Sequence, residues 1–438
     1  MGLLDFLLPR RDRIPAPEPV SAETIQPVRR KTRPEPSRLP GFRASANEQL
    51  GSRAGSAERA RLKLRDAFTP SQPVRDPAML AGRAEILQTL IRSIEEQRLH
   101  VVLFGDRGIG KTSLLHVLAK LAREARYIVH YAPCDEGSDF SEVFRTAAAD
   151  VPLLYHSGHN PNANDTEQGR TLADLLGDRP VTPRLFSDAF TKLTGTRMLI
   201  ILDEFDRAAP GAFRRQVAEL IKNLSDQSTR VQLVIAGVAA NLTELIEHIP
   251  SIRRNIVGLP VAGMSRDEVA ELLANGQRAS GVPFDAAAVE MIVSLASGSP
   301  YIAGLLGQHA GLIAVDRGMD LVGKDDVAAA IGRAAEEIGD RVSERSRYAI
   351  DRAYADGLGP MLPRLAHAAL RHGGRFGEDA LGDLGADAGE RTQKLAELAK
   401  SHELVEAIAD DPAGRYRFLE ESVPTYLWIR HARDDLAR

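Results

Sequence analysis

The chain moves between two hydrophobic rhythms. From residue 100 to 260, short unbroken apolar runs recur: "HVVLFG", "RYIVHYAPC", "MLIILDEF", "VQLVIAG" and the shorter "NIVGLPV". Runs of this length bounded by turn formers predict strands buried on both faces. Between them lie segments with apolar positions every three or four residues, as in "TSLLHVLAKLAREA". Ile86, Leu87, Leu90, Ile91 and Ile94 show the same spacing ahead of the first run, predicting an amphipathic helix after a proline-rich entry. Strands alternating with helices imply an α/β core of three layers, a parallel sheet covered on both faces. The polar stretch "YHSGHNPNANDTEQGRTLADLLGDRPVTP" interrupts the rhythm and is expected to be a loop or a small helical insertion.

From Met264 the strands largely stop. "SRDEVAELLANGQRASG", "DAAAVEMIVSLASG", "YIAGLLGQHAGLIAVDRG" and "KDDVAAAIGRAAEEIGD" predict four helices, with Asp or Ser near several starts and glycines between them. In the last hundred residues, "MLPRLAHAALRHGG" and "GERTQKLAELAKSHELV" predict helices. "EAIADDPAGRYRFLE" predicts a hairpin around Pro412 to Gly414, and "TYLWIRHARDDL" a closing helix. Helix, helix, hairpin is the order of a winged helix-turn-helix.

Charge changes the picture at the N-terminus. The whole chain of 438 residues carries a formal net charge of -4, yet Lys and Arg outnumber Asp and Glu by 6 over Met1–Leu80, where 11 of the 25 prolines also lie. Low hydrophobicity with this much proline leaves too little apolar surface to offset the entropy of ordering, so residues 1–67 are expected to be a disordered tail. Such a tail reads either as a basic arm for nucleic acid, an acidic partner or anionic lipid, or as a solvated tether. The opening "MGLLDFLLPRR" has its apolar and basic parts in the wrong order for a secretory signal, and no apolar run approaches the length of a membrane span. The one cysteine, Cys134, excludes an internal disulfide and fits a reducing cytoplasm, and a packed strand end is its expected role. His156 and His159 have no further ligands at metal-binding spacing.

Two local patterns carry chemistry. Gly105, Asp106, Arg107, Gly108, Ile109, Gly110, Lys111 and Thr112 match G-x-x-x-x-G-K-[ST] between a predicted strand and a predicted helix. Glycines let successive amide N–H groups point into one concavity, and the following helix adds its positive end, so the turn is expected to hold a phosphate chain. Lys111 would reach β- and γ-phosphate oxygens, and the Thr112 hydroxyl would ligate Mg²⁺. In "RMLIILDEFDR", Asp203 and Glu204 follow a buried strand. Asp203 would hold the Mg²⁺ shell near Thr112, leaving Glu204 to polarise a water toward the γ-phosphate. No Asn-Lys-x-Asp element of guanine recognition follows, so ATP is the expected nucleotide. After the fourth run, Asn241 is either a polar contact to the γ-phosphate or a helix N-cap. Arg253 and Arg254 are either a basic helix end or the site of an arginine finger reaching a neighbouring subunit, with Arg254 the leading candidate.

Together these residues resemble an AAA+ P-loop ATPase of the branch shared by origin-recognition ATPases, transposition helper ATPases and STAND-type signalling NTPases. "FGDRGIGKTS", which includes Ser113, resembles the Walker A loop, "LIILDEFDR" the Walker B strand, and "IPSIRRNIVGLPV" the finger-bearing segment. Gly82 and Arg83 in "LAGRAEILQTL" resemble the element ahead of the first strand, and Pro300 in "SGSPYIAGLL" resembles the Gly-x-Pro element of the STAND branch. The resemblance implies a nucleotide-contacting role for Gly82, Arg83, Ser113 and Pro300. It divides the chain into the tail at 1–67, an ATPase core at 68–263, a helical lid at 264–339 and a winged-helix-like domain at 340–438.

Lids of this group commonly present a sensor arginine, and "SGSPYIAGLLGQHAG" has none. That departure favours a nucleotide-gated conformational or oligomerisation switch with slow or partner-stimulated hydrolysis. A nucleic-acid loader and a nucleotide-occupied protein scaffold are the alternatives. Over Asp340–Arg438 acidic residues exceed basic ones by 3, which is unfavourable for gripping DNA phosphates. A protein partner or a homo-oligomer is expected, with nucleic acid the weaker candidate.

Overall fold

The computed structural model describes residues 55–437 apart from 160–168, 228, 240, 241, 243–253, 383, 385, 386, 409, 410 and 412. All five predicted core strands are present: β1 His100–Gly105, β2 Ile128–Pro133, β3 Met198–Asp203, β4 Val231–Val238 and β5 Ile256–Pro260. They form one parallel sheet in the order β2-β3-β4-β1-β5. Residue alternation in β3 shows why both faces are covered. Met198, Ile200 and Leu202 join one apolar cluster while Leu199 and Ile201 join the other. On the first face lie Phe140, Phe144, Phe186 and Phe190, and on the second Leu90, Leu114 and Leu118 of the helices Ala84–Glu95 and Lys111–Glu124. The described part of the polar insertion holds one short helix, Leu172–Leu176, and a second, Pro183–Phe190, begins at its last residue; the apolar residues of both complete the first face.

His100 opens β1 fully inside the sheet. Its Nδ1 accepts the Leu233 N–H at 2.9 Å, and burial lowers its pKa from 6.5 to about 4, so the ring stays neutral.

The four predicted helices beyond Met264 are Arg266–Ser280, Ala286–Ala296, Pro300–Asp316 and Lys324–Gly339. Ser265, Asp285 and Ser299 cap the first three by accepting the amides of Glu268, Ala288 and Ile302. A fifth helix, Ser56–Ala67, packs across this bundle and corrects the expected tail at 1–67. Leu64 is fully buried against Gly311, and the Phe68 ring sits where a Cβ on Gly276 or Gly307 would be. Those glycines open a groove that two large side chains fill, and burial of that area orders a charged segment whose own composition would not. Residues 1–54 lie outside the described part.

The C-terminal region adds the helices Glu344–Ala355, Leu362–Arg371 and Ala388–Lys400 and a small antiparallel sheet of β6 Arg375–Phe376, β7 Val405–Ala407 and β8 Tyr416–Phe418 in the order β6-β8-β7. The predicted hairpin is the pair β7 and β8, and the sequence from Leu362 onward runs helix, strand, turn, helix, strand, strand. The last helix, Ser422–Leu436, ties this unit to the bundle: Ile429 is buried in the bundle core, and Trp428 Nε1 donates to the Leu295 carbonyl at 2.8 Å. Among the described residues no helix is long and apolar enough to cross a membrane.

Candidate functional site

The carboxyl ends of β1, β3 and β4 open into a single cavity of about 440 Å³. Crevices beyond the carboxyl ends of parallel strands are where open α/β sheets bind ligands. One wall is the turn from β1 into the helix Lys111–Glu124, with Arg107 to Ser113 all lining the space. Gly108 and Gly110 stand at φ 75° and 96°, the left-handed region that an L side chain avoids, which curls the turn around its own amides. Gly105 is required for another reason: a Cβ there would overlap the Val261 carbonyl at the end of β5.

Lys111 is 8% exposed, and its ammonium donates to the carbonyls of Gly105 at 2.9 Å and Asp106 at 2.6 Å. Burial lowers its pKa to about 8, against the opposing pull of Asp206, Asp106 and Asp203. An ammonium held inside its own loop and ringed by carboxylates is placed to meet an anion without crossing the cavity. The Ser113 hydroxyl oxygen accepts the Val74 N–H at 3.1 Å, tying the loop to the segment after Phe68.

Asp203 ends β3 at 4% exposure. Its Oδ1 accepts the Glu204 N–H at 2.8 Å, and its Oδ2 accepts the Tyr131 hydroxyl of neighbouring β2 at 2.6 Å. Burial first, and then this hydrogen bond, push the Tyr131 phenol far above its usual range, so it remains a donor. Glu204 has a left-handed backbone, φ 53°, and its carboxylate accepts from Arg207 at 2.8 Å. Asp206 Oδ1 accepts the Val238 N–H at 2.8 Å and joins this turn to the end of β4. Asp203, Glu204, Asp206 and Arg207 all line the cavity with Lys111 and Thr112.

The donor set suits a magnesium nucleotide. Among the described residues no group of three or more His, Cys, Asp and Glu could cage a metal. Mg²⁺ takes one or two protein oxygens and fills its octahedron with phosphates and water, and the Thr112 hydroxyl and one Asp203 carboxylate beside a phosphate-shaped turn match that demand. Asp203 has lone pairs left for a cation after its two hydrogen bonds.

The opposite wall is mostly apolar, with Thr69, Ser71 and Gln72 among its residues, and comes from distant segments: Phe68 to Val74, Leu80, Met264, Leu272, Pro300 and Gly304. Pro300 thus lines the cavity. Arg83 lines it as well but is committed to the backbone, donating to the Ile109 carbonyl at 3.0 Å and the Ala262 carbonyl at 2.8 Å. It straps the turn to the chain entering the helical bundle. Gly82 is outside the cavity lining and donates its N–H to Glu271 of the bundle at 2.9 Å. Arg254 is exposed just before β5, the edge strand beside β1, at the end of the strands opposite the turn, and is not among the residues that line this cavity. Asn241 and Arg253 lie outside the described residues.

The C-terminal unit touches the turn directly. Arg107 Nη1 pairs with Glu421 Oε1 at 2.6 Å, and Gly373, at φ 70°, approaches so closely that a Cβ would overlap the Asp106 carboxylate. Burial raises the Asp106 pKa, and Lys111, Arg375 and His372 oppose the rise.

Residues 79–235, from the Gly82 element to β4, match the family model of the AAA ATPase domain. The chain carries an AAA+ P-loop ATPase domain. Beyond the AAA+ segment, the chain is similar over most of its length to several solved structures. The Orc1 protein of Aeropyrum pernix in complex with DNA shares 15% identity, with 84% of this chain and 96% of that one covered and a TM-score of 0.44. A Walker-type ATPase of Pyrococcus abyssi shares 16%, covering 82% and 99%, with a TM-score of 0.47. The RuvB Holliday junction branch migration motor of Thermotoga maritima shares 16%, covering 81% and 93%, with a TM-score of 0.38.

Proposed function

We propose that the protein is a Mg²⁺-dependent ATPase that works as a nucleotide-gated conformational switch, its C-terminal unit resting on the phosphate loop in one nucleotide state and leaving it in the other. The observation that carries this reading is the direct contact of Asp106 and Arg107, inside the loop, with Gly373 and Glu421 of the C-terminal unit. A ligand shifts such an equilibrium only through different affinities for the two states. A phosphate chain in the loop meets the Asp106 and Arg107 environment first, so its length would bear on that contact.

In this scheme the loop amides and Lys111 hold the β- and γ-phosphate oxygens. Thr112 and Asp203 would hold the cation, which would supply charge neutralisation at the phosphates. Glu204 orients the attacking water and takes up its proton. The Arg207 contact engages the Glu204 carboxylate, and on this reading turnover is expected to be slow until a partner or a second copy rearranges that turn. Arg254, exposed at the amino end of the edge strand β5, is the residue we assign to completing a neighbouring copy's site.

The test is limited proteolysis and light scattering on wild type and Glu204→Gln with ADP or ATP in Mg²⁺. The reading expects cleavage between the bundle and the C-terminal unit to differ between ADP and ATP. Mass growth confined to Glu204→Gln with ATP would place Arg254 at a shared interface. Identical cleavage and mass in both nucleotides would overturn the switch.

A further inference from the structure

The two residues assigned above to the cation, Thr112 and Asp203, stand on different elements, and the structure shows what joins them. Tyr131 lies on β2, and its ring stacks on His116 at a centroid distance of 4.7 Å and an interplanar angle of 7°. His116 belongs to the helix Lys111–Glu124 and stands four residues after Thr112, on the same helical face. The Tyr131 hydroxyl reaches across to β3 and donates to Asp203 Oδ2 at 2.6 Å. Thr112, its helix, His116, Tyr131 and Asp203 therefore form a continuous path between the two oxygens that would share a cation.

Packing alone does not require this arrangement. A phenylalanine would stack on His116 and fill the same half-buried place, whereas the hydroxyl has one partner and that partner is the Asp203 carboxylate. The carboxylate is almost wholly buried and receives one bond at each oxygen, from Tyr131 and from the Glu204 N–H. Two donors at fixed positions remove its freedom to rotate about the terminal torsion, which is otherwise broad. They leave free lone pairs on both oxygens. Partners that orient a metal-binding group in this way commonly set its affinity.

We propose that Tyr131 is a positioning residue for the divalent cation: its hydroxyl, braced by the His116 ring, holds the Asp203 carboxylate in the orientation that meets the cation beside Thr112. The proposal rests on the reading of Asp203 as a cation ligand and names the residue that makes it one.

The experiment is a Mg²⁺ titration of the binding of a fluorescent ATP analogue, run on wild type, Tyr131→Phe, His116→Ala and Asp203→Asn, with each protein also measured in EDTA. Tyr131→Phe keeps the ring and removes the hydroxyl. It is expected to raise the Mg²⁺ concentration at half effect by about tenfold or more, with analogue affinity in EDTA unchanged. His116→Ala should move the midpoint in the same direction by less. Should Tyr131→Phe fail to fold, as thermal melting in EDTA would reveal, the His116→Ala midpoint decides.

A wild-type midpoint in both variants, with cation dependence abolished in Asp203→Asn, would overturn the role of Tyr131 and leave the ATPase reading standing. Retention of full cation dependence in Asp203→Asn would overturn both. A drop in EDTA affinity as large as the drop in Mg²⁺ would show that Tyr131 supports the fold of the site, and it too would overturn the proposal.

Discussion

The two walls of the cavity are built in opposite ways. The polar wall is made from two short contiguous stretches, 105–113 and 203–207, each at the carboxyl end of a strand, with Lys111 and Glu204 held by partners a few residues away and Asp203 and Asp206 by hydrogen bonds from the neighbouring strands. The apolar wall gathers Phe68 to Val74, Leu80, Met264, Leu272 and Pro300, separated by more than two hundred residues of chain, and it exists only because the helical bundle is packed. Local hydrogen bonding sustains the first wall and tertiary burial the second. Substitutions should therefore separate ligand binding at one wall from stability at the other.

The largest effect should come from the apolar wall. Phe68 is 2% exposed, buried among Gly276, Gly307 and Phe284, and its carbonyl accepts from Gln308. Phe68→Ala removes the ring and leaves a groove lined by glycines that have no side chains to move in. We expect a loss of about 3–5 kcal/mol in urea unfolding of the bundle, with the Lys111 environment intact. A loss below about 1 kcal/mol would show that the Ser56–Ala67 helix is not part of the bundle's core.

At the polar wall, Lys111→Ala should do the reverse. Truncating one partner of a buried, hydrogen-bonded charge pair costs about 2–5 kcal/mol, so ATP affinity should fall by between about 30-fold and a few thousand-fold. The urea midpoint without nucleotide should change far less than in Phe68→Ala. Equilibrium binding of a labelled ATP decides, and an unchanged affinity would remove the phosphate-binding reading of the loop.

This contrast also explains what the sequence could reveal. The polar wall was legible because spacing defines it: an apolar run, glycines at fixed offsets, then Lys111 and Thr112, and an acidic pair after "MLIIL". Leu64 and Phe68 sit among charged residues in "AERARLKLRDAF", and nothing in that segment says that it is buried. The signal was elsewhere, in Gly304, Gly307 and Gly311 of "GLLGQHAG", three glycines on one face of a helix. Each costs roughly 0.5–1 kcal/mol relative to Ala, so such a stripe implies close approach of another element. Tyr131 was hidden for a different reason: in "YIVHYAP" it reads as an ordinary strand residue, and only the pairing of β2 with β3 brings its hydroxyl to Asp203. The C-terminal strands are two or three residues long, too short for any period to show.

A pH effect sharpens the comparison further, because the polar wall stands on a sheet that holds a neutral histidine. His100 titrates at about 4 in the fold against 6.5 when exposed, owing to burial. Above pH 6.5 both states are neutral and His100 contributes nothing to the pH dependence. As pH falls from 6.5 toward 4, the unfolded chain takes up a proton that the folded chain refuses, and stability falls with a limit of about 3 kcal/mol. His100→Asn keeps an acceptor for the Leu233 N–H and does not titrate. Its stability between pH 6.5 and 4 should decline less than that of wild type by up to this amount, read from urea midpoints at each pH.

The smallest effect concerns the link between the polar wall and the C-terminal unit. Arg107 and Glu421 form a short ion pair, but their side chains are 59% and 65% exposed. Exposed pairs are worth about 0.2–1 kcal/mol and are weakened by salt, so Arg107→Ala or Glu421→Ala should barely change global unfolding. Their value lies in position, since a switch with nearly balanced states responds to fractions of a kcal/mol that global stability does not register. In a double-mutant cycle, the ADP-dependent and ATP-dependent cleavage rates of wild type, Arg107→Glu, Glu421→Arg and the charge swap that combines them should show a coupling of the same small size. Each single variant should favour the open unit and the swap should restore closure, whereas additive effects would mean that the contact of Gly373 with Asp106 alone couples the loop to the C-terminal unit.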